Sequence, residues 1–191
     1  MITPEQFESV AALLGCEVAA IRAVAEVESK GSGFLADGRV KILFEPHIFW
    51  RELVKAGINP SDHVAGNEDI LYQKWKSGAY GPESAQWGRL TRAAAIDKEA
   101  AYKSASWGRF QLMGFNHLPC GYSSAVVMAN DMATAEDQQL AAFANFIKNE
   151  GMAGYLQRKA WADFALRYNG PAYKENNYDR KLADAYGRFS K

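Results

Sequence analysis

The sequence predicts a mainly helical domain, of α+β type, carrying one small β-hairpin. Three stretches predict it. Thr3, Pro4 and Gln6 form a helix-start signature that Gly15 can terminate. Leu140, Phe143, Ala144 and Ile147 recur at the 3,4 spacing of an amphipathic helix. In "FLADGRVKILF" (34–44), Asp37-Gly38 is a two-residue turn signal, with Val40, Ile42 and Phe44 alternating on one side.

In chain order, the first helix is expected to end at Gly15 and a second to cover residues 17–29. The hairpin follows. Pro46 then opens a helix through about residue 56 that Gly57 stops, and further helical stretches are expected around 68–76 and 83–96. "KEAAYKSASWGRFQLMGFN" (98–116) reads as a short helix, a turn and another short helical piece. Thr134 with Asp137 starts the helix running to about Asn149, and the last two helices fall near 161–168 and 178–189, joined by Asn169-Gly170-Pro171.

At 191 residues, with no repeat and no Pro/Gly-rich linker, a single domain is expected over the whole chain. Lys plus Arg and Asp plus Glu both number 22, which leaves no net charge to draw the molecule onto nucleic acid or an anionic membrane. The start, MITPEQFESV, has no signal-peptide pattern, and no stretch approaches the ~18 uninterrupted apolar residues of a membrane span. Synthesis as a cytosolic protein without stable membrane association is therefore expected. Cys16 and Cys120 are far apart and read as reduced thiols; His47, His63 and His117 show no ligand spacing, so neither metal nor cofactor is expected.

Chemistry enters at "VAEVESKGSGF" (24–34). On helical spacing, Val18, Ile21, Val24, Ala25 and Glu28 share one face, whereas Arg22 and Glu26 point away. A carboxyl on that stripe is partly desolvated and sits at the negative end of the helix dipole; both effects favour its protonated form, the form a general acid needs. If Asp37-Gly38 is a two-residue loop, Ala36 faces Arg39 and Lys30 lies opposite Glu45, at the ~4.5–5.5 Å of paired strand residues. Glu45 then returns close to Glu28. Two carboxyls flanking one cleft is the arrangement that glycosidic bond hydrolysis uses. Competing readings stand beside these: Glu28 as a helix-end residue reaching solvent or pairing with an arginine, and Glu45 as a cap before Pro46.

Further motifs carry a resemblance. "ESKGSG", "SASWGRFQLMGFN" and "LRYNGPAY" occur in the order seen in the lysozyme-like superfamily, which includes soluble lytic transglycosylases. From about residue 18 to 186 the chain resembles more closely the N-acetylmuramidase domain of phage endolysins, through "FLADGRVKILFEPHIFW", "WGRFQLMG", "CGY" and "YNGPAYKENNYDRKLADAY". The resemblance implies a lysozyme-like fold whose hairpin walls a glycan cleft, with Glu28 as general acid. It further implies that Ser106, Gly108, Gln111 and Met113 line the groove and that Tyr168 and Asn169 form the loop approaching the acid; Glu45 matches a family glutamate. The loop departs from the usual Tyr-Asn-Ala-Gly by running straight into Gly170-Pro171.

On the residues alone, Gln111 equally suits capping backbone in a turn, Met113 a core position, and Tyr168 helix packing with Asn169 as a stop. Of Trp50, Trp75, Trp87, Trp107 and Trp161, most are expected in core or groove wall; Trp107 is the one singled out for contact with sugar. By resemblance, the partner is the glycan strand of peptidoglycan. The chain is expected to act as a monomer, without a separate wall-binding module, held in the host cytoplasm until a separate membrane pore admits it to the wall. The enzymatic rival is a lytic transglycosylase, and the non-enzymatic one a catalytically silent peptidoglycan-binding module.

Overall fold

A computed structural model describes residues 2–28 and 31–191. Helix α1 (Pro4–Leu14) starts as its capping box predicts: the Thr3 side chain accepts from the Gln6 N–H while the Gln6 side chain accepts from the Thr3 N–H, and Gly15 closes the end with φ 64°. Helix α2 (Val18–Glu28) buries Ala20, Ile21, Ala23, Val24 and Ala25, leaving Glu28 at its last position. Helix α3 (Pro46–Lys55) begins at the expected proline.

The small β element differs from expectation. Asp37-Gly38 does turn the chain, with Gly38 at φ 84°, but the returning arms meet in a single bridge, Phe34 to Val40. That pairing is one residue out of the predicted register, and Lys30 lies outside the described residues. Strand β1 (Ile42–Phe44) pairs instead with β2 (Ala105–Trp107), which pairs with β3 (Leu112–Met113), giving among the described residues one three-stranded antiparallel sheet in the order β1-β2-β3. Continuing this ladder, the Glu45 N–H donates to Ser104 O at 2.9 Å, so Glu45 is placed by the 104–107 segment. Long-range pairing outweighed the local turn signal. It also makes the expected second helical piece after Ser104 a hairpin, followed by a 3-10 turn at Gly114–Asn116.

Helices α4 (Gln86–Ala94), after a 3-10 turn at Glu83–Ala85, and α5 (Lys98–Lys103) back the sheet. Residues 68–76 are not helical: a turn at 68–70 passes into irregular chain. Buried Arg89 ties the irregular chain at its ends, its guanidinium donating to the carbonyls of Asp69, Ala79 and Tyr80 and so satisfying backbone acceptors that no helix pairs.

The rest is helical: α6 (Ala125–Met132), α7 (Glu136–Asn149), α8 (Ala153–Gln157), α9 (Trp161–Asn169) and α10 (Tyr178–Phe189). Thr134 does not cap α7. Its hydroxyl donates back to Asp131 O at the end of α6, and α7 starts after Ala135 without a side-chain cap. The core stacks Phe110 on Phe143 (4.5 Å between ring centres) and Phe164 on Tyr168 (5.5 Å), while α10 packs along α2. Both cysteines are free thiols.

Candidate active site

A cleft of about 660 Å³ opens between the sheet and the ends of α2 and α9, and both Glu28 and Glu45 line it. Glu28 occupies the position its helical register predicts: the α2 stripe is core up to Ala25, and the next residue on that face reaches the cleft. Burial pushes its carboxyl up to about 7. A hydrogen bond from Asn169 Nδ2 to Glu28 Oε1 (3.0 Å) and, more weakly, the charge of Lys181 oppose that rise. The side chain is thus poised to hold or release a proton near neutrality.

Two loops beside Glu28 rest on one helix. Glu136 of α7 accepts from the Gly33 N–H at 2.8 Å and from Ser32 Oγ at 3.4 Å, and Arg109 lies 3.5 Å away. Those donors hold this buried carboxyl below the usual carboxylate range even though burial alone acts to raise it. One turn on, fully buried Gln139 accepts from the Arg109 N–H at 2.6 Å and donates to Met132 O at 2.9 Å. Any Cβ at Gly33 would overlap Gln139 Oε1, and one at Gly108 would come within 2.6 Å of it. These glycines are required for close approach to α7.

Glu45 precedes Pro46 in the N-cap position of α3, yet its side chain caps nothing. Instead Oε2 accepts from the Tyr80 hydroxyl at 3.2 Å and lies 3.5 Å from His47 Nε2. Gln86 and Arg89 of α4 set this end. Gln86 accepts from the Phe44 N–H at 3.1 Å, next to Glu45, and donates to the carbonyls of Tyr80 and Pro82. Strand end and loop hang from the same side chain.

The 106–113 segment spans the floor. Ser106 Oγ donates to Gln111 Oε1 at 2.8 Å and Gln111 Nε2 donates to Gly108 O at 2.8 Å, with Gln111 itself at φ 49°. Both readings of Gln111 hold at once: it closes the turn and lines the cleft, as do Ser106, Gly108 and Met113. Tyr168 and Asn169 end α9 at the cleft, the Tyr168 hydroxyl donating to Phe110 O at 2.9 Å and Asn169 reaching Glu28.

One candidate is placed elsewhere. Trp107 is 1% exposed, donates to Tyr102 O, and packs edge-on against Trp87, so it cannot stack on a sugar. Its β2 neighbour Ser106 faces the cleft, and successive strand residues point oppositely. Sequence reasoning missed Glu136, Gln139, Gln86, Arg89 and Tyr80. Their key partners, Gly33, Arg109, Phe44, Asp69 and Glu45, lie 20 or more residues away, so no local pattern marks them.

Residues 17–190 match the N-acetylmuramidase family. This chain belongs to that family. The crystal structure of the endolysin of Burkholderia phage AP3 is similar to it at 40% sequence identity and a TM-score of 0.90, over 99% of this chain and 71% of that one. A search of curated proteins returned no match. Membership of the N-acetylmuramidase family makes this a peptidoglycan-cleaving enzyme with a lysozyme-like fold, as its motifs led one to expect. Among the described residues, no helix is long and apolar enough to cross a membrane.

Proposed function

We propose that the chain is a glycoside hydrolase of lysozyme type, acting as a phage endolysin on the β-1,4 bond between N-acetylmuramic acid and N-acetylglucosamine. The observation that carries this reading is the partly buried Glu28 carboxyl, raised to about 7 at the wall of a cleft large enough for several sugar rings. Glu28 gives its proton to the glycosidic oxygen as the bond to the anomeric carbon breaks. Positive charge then develops on the sugar, facing Glu45. Water adds to the anomeric carbon, and its proton passes to a carboxylate. Glu45 either takes that proton or stabilises the charge, and the anomeric configuration of the first product, read by NMR, tells which.

Asn169 holds the acid's orientation through its hydrogen bond, while Ser106, Gly108, Gln111, Met113 and Tyr168 supply the floor and wall for the glycan. Mass spectrometry of muropeptides from purified walls tests the reaction. Hydrolysed reducing ends are expected; products ending in 1,6-anhydro rings would make the enzyme a lytic transglycosylase. Equal clearing of walls by wild type and Glu28→Gln would remove Glu28 from the chemistry.

A further inference from the structure

The loop between Asp69 and Pro82 displays a large aromatic side chain that no wall of the cleft accounts for. Trp75 is 59% exposed, the most exposed tryptophan among the described residues and far more open than Trp107. An exposed indole by itself is ordinary, but one without a partner has no reason to hold one orientation. This one is fixed. Its Nε1–H donates to the Tyr80 hydroxyl at 2.8 Å, and that hydroxyl donates onward to Glu45 Oε2 at 3.2 Å. The indole therefore stands two hydrogen bonds from a carboxylate of the cleft. Tyr80 itself is anchored by Gln86 and Arg89 through its carbonyl, and Lys76, next to Trp75, lies 4.3 Å over the Tyr72 ring.

We propose that Trp75 is a saccharide-stacking platform at the Glu45 end of the cleft, extending the glycan site by one sugar ring, and that Tyr80 is a positioning residue keeping platform and carboxylate in register. Three features fit that role. A flat apolar face open to solvent suits the apolar face of a pyranose. The pinned N–H holds the ring at a set angle. The loop is clamped at both ends by the buried guanidinium of Arg89, which donates to the carbonyls of Asp69 and Ala79.

This inference rests on the cleft being a glycan site, and the test separates the two. Glu28→Gln protein is titrated with peptidoglycan glycan strands freed of their stem peptides, followed by calorimetry and intrinsic fluorescence. Binding is expected, and adding Trp75→Ala weakens it about tenfold, whereas Trp75→Phe, which keeps an aromatic face, stays within about threefold. In the active protein Trp75→Ala raises KM and leaves kcat nearly unchanged. Tyr80→Phe lowers kcat as well, because Glu45 loses its donor. Binding unchanged by Trp75→Ala, or lost equally with Phe, would overturn the platform and leave the glycan cleft standing. A Tyr80→Phe protein with wild-type kcat would overturn the positioning role. Failure of the Glu28→Gln protein to bind strands at all would overturn both readings.

Discussion

The two carboxylates of the cleft stand at opposite kinds of helix end, and their surroundings differ accordingly. Glu28 closes α2, where exposed carbonyls repel a negative charge, and it has apolar neighbours with one amide donor, Asn169. Glu45 precedes α3 without capping it, and it meets a phenol and an imidazole. One residue type is thus given two environments, and at Glu28 burial favours the acid form. Each end is also suspended from a different helix: the loops beside Glu28 from Glu136 and Gln139 of α7, and the segments beside Glu45 from Gln86 and Arg89 of α4. Division of labour between acids needs unlike surroundings more than unlike residues.

The largest effect follows directly. Glu28→Gln removes the transferable proton and should lower muropeptide release by roughly 10²–10⁴-fold. Glu45→Gln keeps the hydrogen bond from Tyr80 and loses only charge, so a smaller loss is expected, about ten- to a hundredfold. A reversed order in the same release assay would invert the roles assigned to the two ends.

The pH dependence sharpens the contrast. Glu28 must be protonated to act, so kcat/KM should fall as pH rises through about 7. Asn169 donates to the ionised form and so lowers the pKa. Asn169→Ala therefore moves this limb to higher pH, and Lys181→Gln moves it the same way by less. Stability carries the same sign. The folded value lies above the ordinary 4.5, so the stabilisation belonging to the protonated form is complete below about pH 4.5 and disappears as pH approaches 7. Thermal melts of wild type should fall across that window relative to Glu28→Gln. Parallel melts would mean that the carboxyl is not held protonated by burial.

Much of this was legible from the chain alone, for identifiable reasons. The α1 capping box, the Pro46 start of α3 and the position of Glu28 on the α2 stripe all depend on residues within a few positions of one another. What escaped was decided at a distance. β1 found its partner about sixty residues later in β2, which displaced the expected hairpin and brought Glu45 in by another route. Residues 68–76 are irregular chain whose start is tied to Arg89 from twenty residues on, and Trp107 went to the core because strand alternation put Ser106 on the cleft side. Trp75, grouped in the sequence with tryptophans expected mostly in core or groove wall, is instead exposed and tied to a hydroxyl five residues on.

Glycine substitutions probe the α7 side at intermediate size. Gly33→Ala drives a methyl into Gln139 and should cost about 2–3 kcal/mol in urea unfolding, with part recovered by adding Gln139→Ala. Gly31→Ala meets no atom within 4 Å but sits at φ 105°, so backbone strain of about 1 kcal/mol or somewhat more is all it should show. Equal costs at the two positions would mean that the loop does not rest on Gln139.

The smallest effect concerns charge. Twenty-two basic and twenty-two acidic side chains leave no net attraction toward an anionic wall, and the two cations that line the cleft are engaged: Lys41 lies 3.3 Å from Glu83 and Arg109 3.5 Å from Glu136. Long-range steering should then contribute little, since at 0.15 M salt exposed charges are screened beyond about 8 Å. Raising salt from low to physiological strength should change wall clearing less than about threefold. A steep decline would reveal a basic face acting at the Glu45 end, where exposed Lys74 and Lys76 flank Trp75. Neutralising those two lysines should then flatten the salt dependence while leaving the pH limb of Glu28 in place.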